Sequence, residues 1–208
     1  MIFDLCCHEL EVVKTFFARG ISWAATEATS ESISLAELGQ PDSETVENVI
    51  FSPHGAHEFE QIVLRSVINE LNSLCEFALQ NTWIQVSGKN LLLPNGKPVF
   101  SATRPDIEKA LNNEKELGDM RVDVNEFPSW VEIKKIKEIS EGFKHRQRLQ
   151  PFPAISNSQK MERGDRYVDP ENEDWISPYE LTPDDVSGYI DSVEKLFSWL
   201  GSKCSSWM

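Results

Sequence analysis

The sequence has no long hydrophobic run and no start typical of a secreted protein. No stretch of about 18 or more apolar residues occurs in the 208-residue chain, so the sequence predicts no transmembrane helix. The first residues include Asp4, His8, Glu9 and Glu11, whereas a signal peptide needs a cationic start and an unbroken apolar stretch. We therefore expect a cytoplasmic protein that has no membrane partner.

Cysteine is scarce, and its spacing fits neither a disulfide scaffold nor a zinc site. Cys6, Cys7, Cys75 and Cys204 form no CxxC pair, so we expect reduced thiols. Cys6, Cys7 and His8 are adjacent, but neighbours on a helix point about 100° apart and no second ligand pair follows at zinc-finger spacing. Burial is favoured over metal binding. We expect no metal and no cofactor.

Basic residues are also few, with 20 Lys plus Arg against 34 Asp plus Glu and a net charge of −14. An acidic surface repels polyanions, so we expect no DNA partner. Residues 130–149 oppose this trend, because six Lys and Arg stand there against three Glu, or +3. The sequence therefore predicts one local basic segment on an acidic protein.

Motifs for nucleotide-phosphate loops, zinc proteases, serine hydrolases and calcium loops are all absent. His54 and His57 have a spacing that permits metal binding, but beside a helix start such residues more often cap the helix or face solvent. Hydrophobic residues make up 40% of the chain and charged residues 26%, as in ordinary globular proteins. One domain over residues 1–208 is expected.

Apolar periodicity predicts an all-α bundle of about five helices. The predicted helices cover residues 3–29, 57–82, 105–118, 129–150 and 182–201. In the first, apolar residues recur at threes and fours: Leu5, Val12, Val13, Phe16, Phe17, Ile21 and Trp23. The second has the clearest apolar stripe and is expected to be the central packing helix.

Three connecting segments carry weaker signals. Residues 30–53 are polar and predict a loop or a short helix. Residues 83–100 contain short apolar pieces around Asn95 and Gly96, which favour a hairpin turn, while Pro94 and Pro98 limit any pairing to a small hairpin. Residues 150–181 predict a long loop pinned by aromatic residues.

The last helix has the strongest start signal. Thr182 is a candidate N-cap, Pro183 takes the first helical position and Asp185 lies in the first turn. Leu181 and Val186 are spaced for a hydrophobic staple. Gly201 is expected to end the helix.

The fourth helix carries the candidate site. Its predicted core face is opposite a charged face that includes Glu141 and His145. A histidine one turn from a carboxylate can act as a general acid or base. The same face is equally typical of a solvent-exposed helix surface with paired charges. The core-face residues are Trp130, Ile133, Ile136, Ile139 and Phe143.

The order of these segments over residues 59–200, with an apolar-periodic helix that leads into His145 and basic residues, resembles the HEPN superfamily. This family's motif is an arginine, four to six residues, and then a histidine. The resemblance implies an all-α homodimer and, for active members, metal-independent endoribonucleases of toxin and antiviral systems. His145 matches the motif's histidine, but Ile139, Ser140 and Glu141 stand where the arginine would fall.

The resemblance also indicates which residues form the candidate site. His145 and Glu141 are the candidate catalytic residues, and the cations available to hold RNA or a phosphate are Lys137, Lys144, Arg146 and Arg148. Because the arginine is missing, we expect a catalytically degenerate interaction module that binds a protein, a nucleotide or RNA. The alternatives are a divergent endoribonuclease that uses His145, and a structural subunit of a larger helical assembly.

Overall fold

The computed structural model describes the backbone of residues 2–37, 53–147 and 181–205, and the side chains of residues 4–26, 59–143 and 181–205. This part of the chain is all-α, as predicted, and contains no β-strand. Its helices are α1 (Ile2–Glu37), α2 (Pro53–Val86), α3 (Arg104–Leu111), α4 (Glu114–Leu117), α5 (Trp130–Gln147) and α6 (Pro183–Ser205). None of these helices is long and apolar enough to cross a bilayer.

The helix α2 is the centre of the bundle. It packs against α1, α3, α5 and α6. Leu64, Ile68, Leu71 and Leu79 on α2 are completely buried, because a helix surrounded by others must be apolar on most of its circumference. The prediction that this helix is the central packing element is confirmed.

The helix α1 turns a different face to the core from the one its largest apolar residues suggest. Its buried side chains are those of Cys6, Leu10, Val13 and Ala24. Four other apolar residues, Leu5, Val12 and the aromatic Phe16 and Trp23, are 48–52% exposed. Spacing at threes and fours fits both faces of this helix, so periodicity predicted the helix but not the face that contacts α2.

Several predicted boundaries differ from the structure. The third predicted helix, 105–118, is divided into α3 and α4 by Asn112 and Asn113, and α2 begins at Pro53, before the predicted start at 57. The helix α1 continues to Glu37, eight residues beyond the predicted end at 29. The helix α2 continues to Val86, because Trp83 and Val86 are buried on its inner side, so the prediction that the hairpin segment begins at 83 was wrong. The helix α6 passes through Gly201 to Ser205, and Cys204 is buried in its last turn. Residues 38–52 and 148–180, which include nearly all of the predicted pinned loop, lie outside the described residues.

Residues 90–100 form the small hairpin that the Asn95–Gly96 pair predicts. The amide of Leu93 donates to the carbonyl of Lys97 at 2.9 Å, and the amide of Val99 donates to the carbonyl of Leu91 at 3.0 Å. Gly96 adopts φ of +79°, which a residue without a side chain does most easily. The pairing is limited to one bridge, between Leu92 and Pro98.

The predicted cap of α6 is present. The amide and hydroxyl of Thr182 donate to Oδ2 of Asp185 at 3.1 and 2.7 Å, and the amide of Asp185 donates to the Thr182 hydroxyl at 3.2 Å. These bonds from Thr182 hold the pKa of the Asp185 carboxyl below its usual range. Both residues of the predicted staple, Leu181 and Val186, are buried.

We expect Thr182→Ala to lower the free energy of unfolding by about 1 kcal/mol at pH 7. The pKa of the Asp185 carboxyl is lower in the folded state than its unfolded value of about 3.9. The stability that the ionised carboxylate contributes is therefore fully present above the unfolded pKa, and it is lost as the pH falls through the folded pKa. The difference between wild type and variant, measured by urea unfolding, should therefore shrink between pH 7 and pH 3. Ser187→Ala, an exposed change within α6, is the control and should give no such pH-dependent difference. If the difference between wild type and Thr182→Ala stays the same from pH 7 to pH 3, the Thr182–Asp185 cap is contradicted.

Candidate functional site

The helix α5 has the two faces that the sequence predicts. Trp130, Ile133, Ile136, Ile139 and Phe143 are all buried. The side chains of Lys134, Lys135, Glu138 and Glu141 are exposed. The basic segment therefore lies on the surface, and its apolar residues are fixed by contacts with α2 and α6.

Two predicted site residues, Lys137 and Glu141, are brought together as an ion pair. Lys137 Nζ lies 3.6 Å from Glu141 Oε1, and both side chains are partly exposed. Lysine precedes glutamate here, which is the less favourable order for a pair four residues apart on a helix. Exposed pairs contribute at most about 1 kcal/mol. The candidate carboxylate therefore lies beside a candidate phosphate ligand of opposite charge.

Lys135, the neighbouring cation, is directed to α6. Its Nζ lies 5.9 Å from the centre of the Tyr189 ring. A hydrogen bond with the Tyr189 side chain raises the pKa of Lys135, and nearby Asp185 acts in the same direction. The ammonium group therefore stays charged at neutral pH and links α5 to α6.

The remaining candidate residues are at the end of α5. The helical backbone continues through Lys144, His145 and Arg146 to Gln147, but their side chains lie outside the described residues. Arg148 lies wholly outside them. The roles proposed for these four residues stay predictions.

Two of the three positions where a motif arginine would fall are packed against α2. Ile139 and Ser140 are buried, and Glu141 is exposed. The hydroxyl of Ser140 donates to Oδ1 of Asn69 on α2 at 2.8 Å. An arginine at 139 or 140 would need space inside the α2–α5 contact, so only position 141 offers a surface site, and an acidic residue occupies it.

Sequence reasoning missed two arginines that contact α5 from other helices. The guanidinium carbon of Arg65 on α2 lies 5.2 Å from the centre of the Phe143 ring. The guanidinium carbon of Arg104 on α3 lies 4.9 Å from the Trp130 ring. Arginine stacks well on aromatic faces because its planar charge is weakly hydrated. One sequence signal could have indicated Arg65, because this cation stands between Leu64 and Val67, two core positions of α2.

Arg104 is the most unusual of these residues because it is 2% exposed. Its Nε donates to Glu108 Oε1 at 3.1 Å. Its two terminal nitrogens have no hydrogen-bond acceptor among the described residues. Its guanidinium group lies over the Trp130 ring, so Arg104 links α3 to the start of α5.

The cysteines are mostly core residues. Cys6, Cys75 and Cys204 are buried, and Cys7 is exposed. Burial raises the pKa of Cys75 to about 12 and that of Cys6 and Cys204 to about 11, which disfavours a thiolate nucleophile at neutral pH. Among the residues with described side chains, no group of three or more His, Cys, Asp or Glu is placed to hold a metal ion. His54 and His57 have side chains outside that set.

Comparisons of the chain with family models, curated proteins and solved structures return no match.

Proposed function

We propose that this chain is an HEPN-like interaction module that binds a protein partner without cutting RNA, in a toxin or antiviral context. The observation that carries the proposal is an exposed apolar surface on the hairpin of residues 90–100. Leu91, Leu92 and Phe100 are about half exposed or more. Leu93 and Val99 of the same hairpin are buried in the core.

The hairpin is held rigidly enough to present this surface. Leu93 and Val99 anchor its inner side, and Lys97 Nζ lies 2.8 Å from Asp106 Oδ2 on α3. An apolar surface with a charged rim is typical of a protein-binding site, whereas RNA recognition needs cations. Leu92 and Phe100 are therefore the proposed central contacts for a protein partner.

The described part of α5 supports a module without catalysis. The Lys137–Glu141 pair places a candidate phosphate-binding cation beside a carboxylate, which competes with a phosphate for that cation. The buried Ile139 and Ser140 leave no surface position for the motif arginine except Glu141. An anion there repels the phosphate that catalysis would have to approach. We also propose that the module acts as a homodimer, as the resemblance implies.

The partner is tested by capture from a lysate of the source cell. We expect the wild-type chain to retain a specific protein that the Leu92→Asp/Phe100→Asp variant loses. Ser73→Asp/Ser202→Asp, which adds the same charge at two exposed helical positions, is the matched control and should retain it. Retention of that protein by the hairpin variant, or specific RNA retained in its place, would overturn the protein-binding proposal.

Catalysis is tested separately. Wild type and His145→Ala, both checked for folding by circular dichroism, are incubated with a mixed single-stranded and structured RNA pool in EDTA. We expect neither protein to cleave RNA. Cleavage by wild type that disappears in His145→Ala would overturn the non-catalytic part of the proposal.

One observation favours a second candidate function, a divergent metal-independent endoribonuclease. Arg65 contacts Phe143, two residues before His145, so α2 brings an arginine to the end of α5. An arginine from another helix can stabilise the charge that develops on a phosphate. This candidate predicts that RNA cleavage is lost in Arg65→Met as well as in His145→Ala.

A further inference from the structure

The helix α1 carries a second apolar stripe that the other described helices leave largely uncovered, apart from the contact of Trp23 with Phe59 on α2. Leu5, Val12, Phe16 and Trp23 are each 48–52% exposed. At about 100° per residue this stripe points roughly 100° away from the side that carries the buried Cys6, Leu10 and Val13. It spans 18 residues, or about 27 Å at 1.5 Å per residue. A helix that faces only solvent on this side would not keep four large apolar residues in line.

The stripe borders an open groove of about 720 Å³ between α1 and the start of α2. The ring centres of Trp23 and Phe59 are 4.3 Å apart at one end. Ile62, the next exposed residue on α2, is 59% exposed. The surface therefore combines the Trp23–Phe59 ring pair with the exposed side chains of Phe16 and Ile62, and it is open along α1 to another helix.

The spacing along the stripe is that of a coiled-coil seam. Steps of four and three residues connect Leu5, Glu9, Val12, Phe16, Arg19 and Trp23. Glu9, Phe16 and Trp23 are then a positions of a heptad, and Leu5, Val12 and Arg19 are d positions. Glu9 and Arg19 are exposed, and neither has an ion-pair partner among the residues whose side chains are described. The seam therefore contains one negative and one positive residue, and each can form an ion pair with a second helix.

The order of residues on this seam is complementary to itself. In an antiparallel pair, a positions of one helix lie opposite d positions of the other. Pairing about the midpoint at residue 14 places Leu5 against the partner's Trp23 and Val12 against the partner's Phe16. The same register places Glu9 against the partner's Arg19. A parallel pair would instead oppose Glu9 to the partner's Glu9, which is repulsive.

We propose that the exposed stripe of α1 pairs antiparallel with the same stripe of a second copy of this chain, with two Glu9–Arg19 ion pairs across the interface. This surface is on α1 and not on α5, so it differs from the pairing that the HEPN resemblance implies. The two-fold arrangement is isologous, so every contact occurs twice. The inference rests on the proposed function only in its expectation of two copies.

The test is a charge exchange followed by sedimentation over a range of protein concentrations. Glu9→Arg and Arg19→Glu each place two like-charge pairs in the interface, and we expect the dimer dissociation constant to rise at least about tenfold. The double variant Glu9→Arg/Arg19→Glu restores opposite charges and should bring the constant back to within about threefold of wild type. Within one helix these two residues are about 15 Å apart, so rescue cannot arise inside a monomer.

Two controls separate pairing from folding. Glu116→Arg changes the net charge as Glu9→Arg does but lies on α4, whereas α1 packs mainly on α2 and α6, and it should leave the dimer unchanged. Phe16→Glu should give a folded monomer by circular dichroism, because Phe16 is half exposed. Unfolding of this variant would mean that the chain's own segments cover the stripe, and it would overturn the proposal.

The outcomes also separate this surface from the proposed function. Dimers that survive both single exchanges, or no rescue in the double variant, overturn the α1 surface and leave a homodimer in place. A wild-type chain that is monomeric at every concentration overturns both the surface and the homodimer. Neither result affects capture of a protein by the hairpin, which is measured with different variants.

Discussion

Phe197→Ala on α6 is expected to lower the free energy of unfolding by about 3–5 kcal/mol. Phe197 is 2% exposed and belongs to the core that α6 forms with α2. Removal of a buried ring loses its transfer free energy and leaves a cavity that the surrounding helices fill only in part. For a chain of this length, this corresponds to a melting temperature lower by about 10 °C or more.

Phe100→Ala is the matched control, because the same ring is removed from a side chain that is 61% exposed. We expect a change of no more than about 0.5 kcal/mol, as for most surface substitutions. Urea unfolding followed by circular dichroism measures both variants. Equal destabilisation by the two changes would contradict either the burial of Phe197 or the exposure of the hairpin surface.

Gly20→Ala on α1 is expected to destabilise the protein by about 1–3 kcal/mol, although alanine is the better helix former. A Cβ at position 20 would lie 2.7 and 2.8 Å from the two Cγ atoms of Val63, and 3.3 Å from its Cβ. These distances are too short for carbon atoms, so α1 and α2 must separate or Val63 must change rotamer. Gly20 thus sets the close approach of α1 to α2.

A double-mutant cycle isolates this contact. Val63→Ala removes both Cγ atoms, so Gly20→Ala/Val63→Ala should lose less stability than the two single changes together, by about 0.5–3 kcal/mol. Gly188→Ala on α6 is the control with the opposite sign, since nothing lies within 4 Å of its added Cβ. We expect it to stabilise the protein by about 0.5–1 kcal/mol. Additive losses in the cycle would contradict the close packing of α1 on α2.

On α5 the sequence was sufficient to predict the buried face. Ile133, Ile136, Ile139 and Phe143 recur at threes and fours, and the charged residues between them occupy the other side. One helix face is apolar and the other charged, so only one orientation buries the apolar side chains. The cap at Thr182 was predictable for a similar reason, because all its contacts lie within one helical turn.

The sequence could not predict which arginines would contact α5. Arg65 and Arg104 lie 78 and 26 residues before the side chains they cover, and their helices meet α5 only in the folded bundle. The cost of burying Arg104 is visible in the structure as two terminal nitrogens without acceptors among the described residues. No local pattern reports such a pairing, because it depends on the packing of three helices.

The sequence by itself determined the helical class, the core face of α5 and the cap of α6, because each depends on periodicity or on contacts within one turn. Only the tertiary structure decided which face of α1 is buried. Both faces carry apolar residues at helical spacing, and Gly20 lets α2 approach the side that carries Leu10 and Val13. The same packing decided that Leu5, Val12, Phe16 and Trp23 remain at the surface, where a second copy can reach them.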